Sequence, residues 1–258
     1  MKKFCLIATM LASVPALSQG LPNPVTILPG DLSGDSVVGT DDLMQLLSLW
    51  GSDYRGLEVG PCYNAQAVDF EGYEYDLVEI GSQCWFAENL RTEHYASGDT
   101  IPGNLSDSEW TSTSSGAQTV YGEGSSSCSG DCDEVANLEA YGRLYNWYAV
   151  DDSRGLCPSG WHVPTDGEWM TLEMELGMTS SEANSTGWRG TDQGAQMKSS
   201  PSDSPSWNGT NTSGFSALPG GLRSYSNGYF SNEGSNGSWW SASPNGTSDA
   251  WYRSLYSV

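Results

Sequence analysis

Three aspartates and a serine alternate with other residues near the N-terminus, in the stretch GDLSGDSVVGTDDLMQLLSLWG from Gly30 to Gly51. Calcium takes roughly six to eight oxygen ligands, and a loop of about twelve residues supplies them from alternate side chains, one carbonyl and a terminal carboxylate. Counted from the first aspartate, the predicted ligands are Asp31, Ser33, Asp35, the carbonyl of Val37, and Asp42. The loop therefore predicts calcium as a cofactor, with an acidic turn that holds no metal as the alternative.

A helical pattern follows this loop directly. Its apolar residues at helical spacing are Leu43, Leu46, Leu47 and Trp50. Gly51 stands where a helix C-cap is expected. Loop and helix, taken as residues 22–51, resemble a type I dockerin repeat, although Ser33, Ser36 and Gly39 depart from that pattern and a complete dockerin has a second repeat. The resemblance implies calcium binding and, more weakly, a cohesin-like partner.

The C-terminal third is crowded with aromatic residues among Asn, Ser and Gly. Amphipathic rings stack on sugars while amides and hydroxyls bond the sugar hydroxyls. The aromatic residues meant here are Trp239, Trp240, Trp251, Tyr225, Tyr229 and Tyr252. The predicted ligand-binding residues are Trp239, Trp240, Tyr229 and Trp251, with polysaccharide as the predicted ligand. The alternative is that these rings fill a small core.

The sequence contains few residues that could act in catalysis. His94 and His162 are the only histidines, and neither has the spacing of a nucleophile elbow or a metalloprotease site. His162 lies between Trp161 and Val163 in a run that looks buried, which favours a core histidine over a general base. We therefore predict that the protein is not an enzyme.

The N-terminus predicts export. Lys2 and Lys3 precede a short apolar run, and small residues follow in cleavage-site spacing, which together predict a signal peptide at residues 1–18. That run is too short to span a membrane, and no longer one follows. Its loss takes the formal net charge from −22 to −24, because it contains two lysines and no acidic residue. An extracellular or cell-surface location follows, and so acidic a chain is not expected to bind nucleic acid.

The elements between these regions follow from local patterns. Residues 52–66 read as a linker, Tyr73 to Ile80 as a strand, and residues 96–134 as a surface loop rich in Ser, Gly and Thr. Thr165 and Glu168 form a capping box that predicts a helix from about residue 166 to 176. Asn-Gly and Gly-Gly pairs near the C-terminus predict hairpins.

Several longer motifs occur in a fixed order: IGSQCWFAENL, GRLYNWYAV, LCPSGWHVPTDGEW, GFSALPGGLRS, and WWSAS followed by AWYRSL. Together they resemble the Fibrobacter succinogenes major paralogous domain, over about residues 67–258. The resemblance implies an exported, noncatalytic recognition module of the α+β class: a C-type-lectin-like domain with irregular antiparallel strands and one or two helices, beside the small EF-hand-like unit. A structural or adhesive surface protein without a small ligand is the alternative. Relatives usually continue into a segment like GFSVRC, so the domain is expected to be truncated.

Five cysteines remain after loss of the signal peptide. Cys128 and Cys132 flank a short loop and can close a local ring, and Cys62 and Cys84 bracket the first strand, so we predict these two disulfides. Cys157 is then predicted to keep a free thiol. In related chains a cysteine of the GFSVRC-like segment is its expected partner.

Overall fold

The computed structural model describes residues 60–62, 68–124, 126–246 and 249–257, and the backbone of residues 2–4. The chain divides into one unit of residues 1–13 and 60–258 and a second of residues 14–59. The second unit lies outside the described residues. It contains the predicted calcium repeat with all its ligands, namely Asp31, Ser33, Asp35, Val37 and Asp42. The calcium site, the signal-peptide cleavage and most of the linker therefore stay predictions.

Short strands open the first unit. They are β1 (Lys2–Phe4), β2 (Val68–Phe70), β3 (Tyr73–Tyr75), β4 (Leu77–Ile80) and β5 (Gln83–Phe86). β2 and β3 form a hairpin whose two turn residues, Glu71 and Gly72, both have positive φ. β5 pairs antiparallel with β4 and parallel with β1. The strand predicted from Tyr73 to Ile80 is thus two strands, because the chain changes pairing partner after Tyr75.

The middle of the unit is more ordered than its composition indicates. Its elements are α1 (Asp107–Ser112), β6 (Gln118–Thr119), α2 (Glu134–Tyr141), β7 (Leu144–Tyr145) and α3 (Trp147–Val150). The predicted surface loop over residues 96–134 is wrong, since Ile101, Trp110 and Tyr121 in that segment are buried. A Ser106–Glu109 capping box begins α1. Isolated apolar residues in this segment are therefore buried although the sequence around them is polar.

The helix predicted after Pro164 is confirmed. The helices of this region are α4 (Asp166–Glu175), α5 (Ser180–Ala183) and α6 (Gln193–Met197). In α4, Trp169 and Leu172 are fully buried. Glu168 accepts hydrogen bonds from the backbone N–H and the hydroxyl of Thr165, at 2.9 and 2.8 Å. The amphipathic spacing was therefore a reliable signal of a core-facing helix.

Two hairpins complete the fold, as the turn residues predicted. Their strands are β8 (Gly220–Arg223), β9 (Phe230–Glu233), β10 (Asn236–Pro244) and β11 (Ala250–Tyr256). β8 pairs antiparallel with β9, and β10 with β11. The aromatic core connects these strands to α4: Trp85 lies 5.1 Å from Trp169 and Phe215 lies 6.3 Å from Trp239 between ring centroids.

The architecture is mixed α/β, with small, mainly antiparallel sheets and short helices. Of the six helices among the described residues, α2 and α4 have eight or more residues. The prediction of one or two helices thus did not include the short helices. The C-type-lectin-like arrangement stays a prediction. The two disulfides are those that the sequence predicted, Cys62–Cys84 and Cys128–Cys132. Cys157 is buried and belongs to neither.

Candidate functional site

The hairpin of β10 and β11 carries aromatic residues on both faces. Trp239 lies opposite Arg253, and Trp240 lies opposite Tyr252. Side chains alternate along a strand, so these two pairs point to opposite faces. We call the face with Trp239 and Arg253 the inner face. The outer face consists of Asn236, Ser238, Trp240, Tyr252, Ser254 and Tyr256.

The inner face is part of the core. Trp239 is 1% exposed, and its indole N–H donates to Asn89 Oδ1 at 3.3 Å. This corrects the prediction that Trp239 binds ligand, because a ring so enclosed has no face to offer a sugar. Its bulk instead stabilises the packing of the hairpin.

Arg253 binds the inner face to α4. Its Nε donates to Glu173 Oε1 at 2.7 Å, and its Nη1 donates to Asp166 Oδ1 at 2.6 Å. Glu173 also accepts from Arg189 Nη2 at 2.7 Å. A buried charge is tolerated only with such partners. The hairpin is therefore held at a defined position against the helix, which also sets the direction of its outer face.

The centre of the outer face combines hydroxyls with aromatic rings. The hydroxyls of Ser238 and Ser254 lie 2.8 Å apart across the two strands. Trp240 and Tyr252 meet edge to face with centroids 6.0 Å apart. The indole N–H of Trp240 donates to the carbonyl of Tyr145 at 2.8 Å, which fixes the ring. Tyr252 is 57% exposed, so a rigid ring supports an accessible one.

A second aromatic pair lies at the other end of the outer face. Tyr256 is 40% exposed, and the ring of Trp188, 79% exposed, lies 5.0 Å away. The Nζ of Lys198 donates to the carbonyl of Tyr256 at 2.9 Å and holds the strand end in place. Trp188 and Tyr256 are not among the ligand-binding residues predicted from the sequence. A tryptophan in the polar, glycine-bounded segment STGWRG was the signal that could have identified Trp188.

The remaining predicted residues lie elsewhere. Trp251 is half-buried and shares the strand face of Arg253, next to the register shift between Trp240 and Pro244. Tyr229 is exposed but belongs to the hairpin of β8 and β9. Of the four predicted ligand residues, Trp240 is therefore the one on the outer face. Strand parity separated residues that are close in sequence.

Two adjacent clefts, of about 380 and 440 Å³, lie beside the β2–β3 hairpin. Glu71, Glu93, His94 and Arg91 line the first. Glu71 accepts from the Thr92 hydroxyl at 2.7 Å and lies 2.8 Å from His94 Nδ1. Arg91 forms an ion pair with Glu88 at 2.6 Å. The polar groups here bond one another, so this region is a weaker candidate for a ligand.

Both histidines lie beside glutamates on the surface. His162 has a side chain that is 46% exposed, and its Nε2 lies 3.2 Å from Glu168 Oε2. This corrects the prediction of a core histidine, because Val163 turns inward while His162 turns outward. His94 contacts Glu71 in the cleft. That the protein is not an enzyme stays a prediction.

Within the described part of the chain, no group of three or more His, Cys, Asp or Glu side chains has the arrangement of a metal site. Among the helices of the same residues, none has the length and apolar character needed to cross a membrane.

The family model of the Fibrobacter succinogenes major domain matches residues 78–257. Searches of curated proteins and of solved structures returned no match.

Proposed function

Because the chain belongs to the Fibrobacter succinogenes major domain family, we propose that it is an exported, noncatalytic recognition protein that binds polysaccharide. The ligand lies on the outer face of the β10–β11 hairpin. One observation carries the proposal: Tyr252 and Tyr256 are exposed on the same strand face as a pair of serine hydroxyls.

The chemistry of this face suits a sugar polymer. A phenol ring offers an apolar surface to the C–H face of a pyranose, and its hydroxyl stays available for hydrogen bonds. Ser238 and Ser254 add donors and acceptors between the rings. Trp240 and the inner face hold the platform rigid, which lowers the entropy cost of binding. A shallow, preformed surface of this kind binds a chain along its length.

The test uses the mature chain and soluble polysaccharides in affinity gel electrophoresis, followed by calorimetry. We expect Tyr252→Ala and Tyr256→Ala each to weaken binding about tenfold, which is about 1.4 kcal/mol. Tyr225→Ala is the matched control, since Tyr225 is 87% exposed and lies at the other hairpin. Equal losses in all three variants would point to general damage. If the wild type bound none of the plant, algal and microbial glycans tested, the result would favour a structural or adhesive protein.

The repeat at residues 22–51 supplies the second part of the proposed function. Its acidic loop binds calcium, which stabilises the loop and the helix after it, and a cohesin-like partner is the occupant that the dockerin resemblance suggests. Calorimetry on the mature chain should detect calcium binding that Asp42→Ala removes, because the terminal carboxylate is a major ligand. Asp53→Ala removes an equal charge outside the loop and should bind calcium as the wild type does.

A further inference from the structure

The outer face has no charged side chain. β10 contains no Asp, Glu, Lys or Arg, and the one charged residue of β11 is Arg253. That guanidinium is on the inner face and is bonded to Glu173 and Asp166. A ligand on the outer face therefore meets phenols, an indole and hydroxyls, because the Asn236 amide is only 2% exposed.

The basic residues in the described part of the chain are also engaged. Seven of the ten lysines and arginines have described side chains, the exceptions being Lys2, Lys3 and Arg55. The described ion pairs are Arg91–Glu88, Arg143–Glu93, Arg154–Asp152, Arg189–Glu173, Arg223–Asp107 and Arg253–Asp166. Lys198 is buried and donates to Asn208 and to the carbonyl of Tyr256. Within the described residues, every cation already has an acceptor.

The overall charge of the protein adds a long-range electrostatic repulsion of acidic polymers. The full chain has a formal net charge of −22. A polymer of uronic acids or sulfated sugars would be repelled at low salt, with a range of about 10 Å at 0.1 M ionic strength. On binding it would also desolvate its anions without a cation to pair them. Both effects disfavour acidic polysaccharides.

The shape of the face indicates an extended ligand. Tyr252 and Tyr256 are four residues apart on one strand, which corresponds to about 14 Å at a rise of about 3.4 Å per residue. Trp188 extends the aromatic surface beyond Tyr256. A single sugar would contact one of these rings, whereas a chain would contact both.

We infer that the ligand of the outer face is an uncharged, extended polysaccharide and that acidic polysaccharides are rejected. This inference rests on the proposed function, since it names the class of glycan that the same face binds.

The experiment measures binding of the mature chain to matched neutral and acidic polymers. The probes are hydroxyethylcellulose, galactomannan, xylan and mixed-linkage β-glucan on one side, and carboxymethylcellulose, polygalacturonate and alginate on the other. We expect at least one neutral polymer to bind with an affinity that changes less than about twofold between low salt and about 0.5 M salt. Every acidic polymer should bind at least about tenfold more weakly.

A charged variant tests the physical cause. Ser254→Lys places a cation on the outer face and should raise binding of the acidic polymers at low salt, with the gain lost at high salt. Ser226→Lys makes the same change in charge at the turn of the β8–β9 hairpin, where Ser226 is exposed, and should leave acidic binding unchanged.

The outcomes separate the two proposals. Preference of the wild type for an acidic polymer would overturn the inference while leaving carbohydrate binding intact. An equal gain in both lysine variants would also overturn it, because net charge and not the outer face would then set selectivity. Absence of binding to every probe would overturn the proposed function and this inference with it.

Discussion

Trp239 and Trp240 are neighbours with the same side chain, yet they belong to different parts of the molecule. The inner face places Trp239 in the aromatic core with 1% exposure. The outer face places Trp240 beside the exposed Tyr252, with its indole N–H bonded to a carbonyl. One hairpin therefore supplies stability from one face and carries the proposed binding surface on the other. Changes on the two faces should separate these properties.

The largest effect is expected from Trp239→Ala on the inner face. Truncation of a fully buried tryptophan removes its burial and leaves a cavity, which should lower the free energy of unfolding by about 3 to 5 kcal/mol. Chemical denaturation of the variant checks this, with the exposed Trp188→Ala as the control. Unfolding of the Trp239 variant at the wild-type midpoint would contradict the assignment of the two faces.

A smaller loss is expected from Arg253→Met, also on the inner face. Breaking a buried ion pair costs about 3 to 5 kcal/mol, but Glu173 keeps its bond to Arg189, so we expect about 2 to 3 kcal/mol. Denaturant titration gives the value. Arg154→Met is the matched control, because its ion pair with Asp152 is exposed to solvent, with the arginine side chain 41% exposed, and should change the free energy of unfolding less than Arg253→Met does. Similar losses of stability in the two variants would show that the buried ion pairs of Arg253 contribute no more than the exposed ion pair of Arg154.

The capping box of α4, the helix that supports the inner face, should make stability depend on pH. Partial burial acts to raise the pKa of Glu168, but hydrogen bonds from Thr165 and His162 outweigh it and lower that pKa. A depressed carboxyl pKa contributes stability above the unfolded value, near pH 4, and this stability is lost as pH falls through the folded value.

The difference in unfolding free energy between wild type and Glu168→Gln should therefore be about 1 kcal/mol at pH 7 and shrink below about pH 4. Glu182→Gln, at the exposed capping box of α5, is the control and should show a smaller difference. A Glu168 difference that stays constant down to pH 2 would show that folding does not lower the pKa of Glu168, because glutamine keeps the capping hydrogen bonds and removes only the charge.

The smallest effect on stability is expected from Tyr252→Ala on the outer face. Its side chain is 57% exposed, so the free energy of unfolding should change by less than about 0.5 kcal/mol. The same variant should lose about tenfold in polysaccharide affinity. Calorimetry and denaturation on one preparation give both numbers. A large loss of stability would mean that the outer face is structural.

Local sequence patterns predicted a good part of the fold. The Thr165–Glu168 box and the spacing of Trp169 and Leu172 located α4 almost to the residue, because helix initiation and amphipathicity depend on neighbours in sequence. The Asn-Gly turn predicted the β8–β9 hairpin for the same reason. The segment 96–134 was misread because its few apolar residues, such as Trp110, are isolated in polar sequence and are buried by distant parts of the chain.

At the candidate site, too, some features follow from the local sequence and others from packing between distant parts of the chain. By itself the sequence determined that the C-terminal third is aromatic and rich in hydroxyls, that its strands form hairpins, and that Cys62 pairs with Cys84. The tertiary structure alone decided that Trp239 is core, that Tyr252 and Tyr256 share an exposed face, and that Trp188 joins them from another loop. Composition is a property of the chain, whereas strand register and long-range packing decide which side of a strand meets solvent, and one residue of register exchanges the two faces.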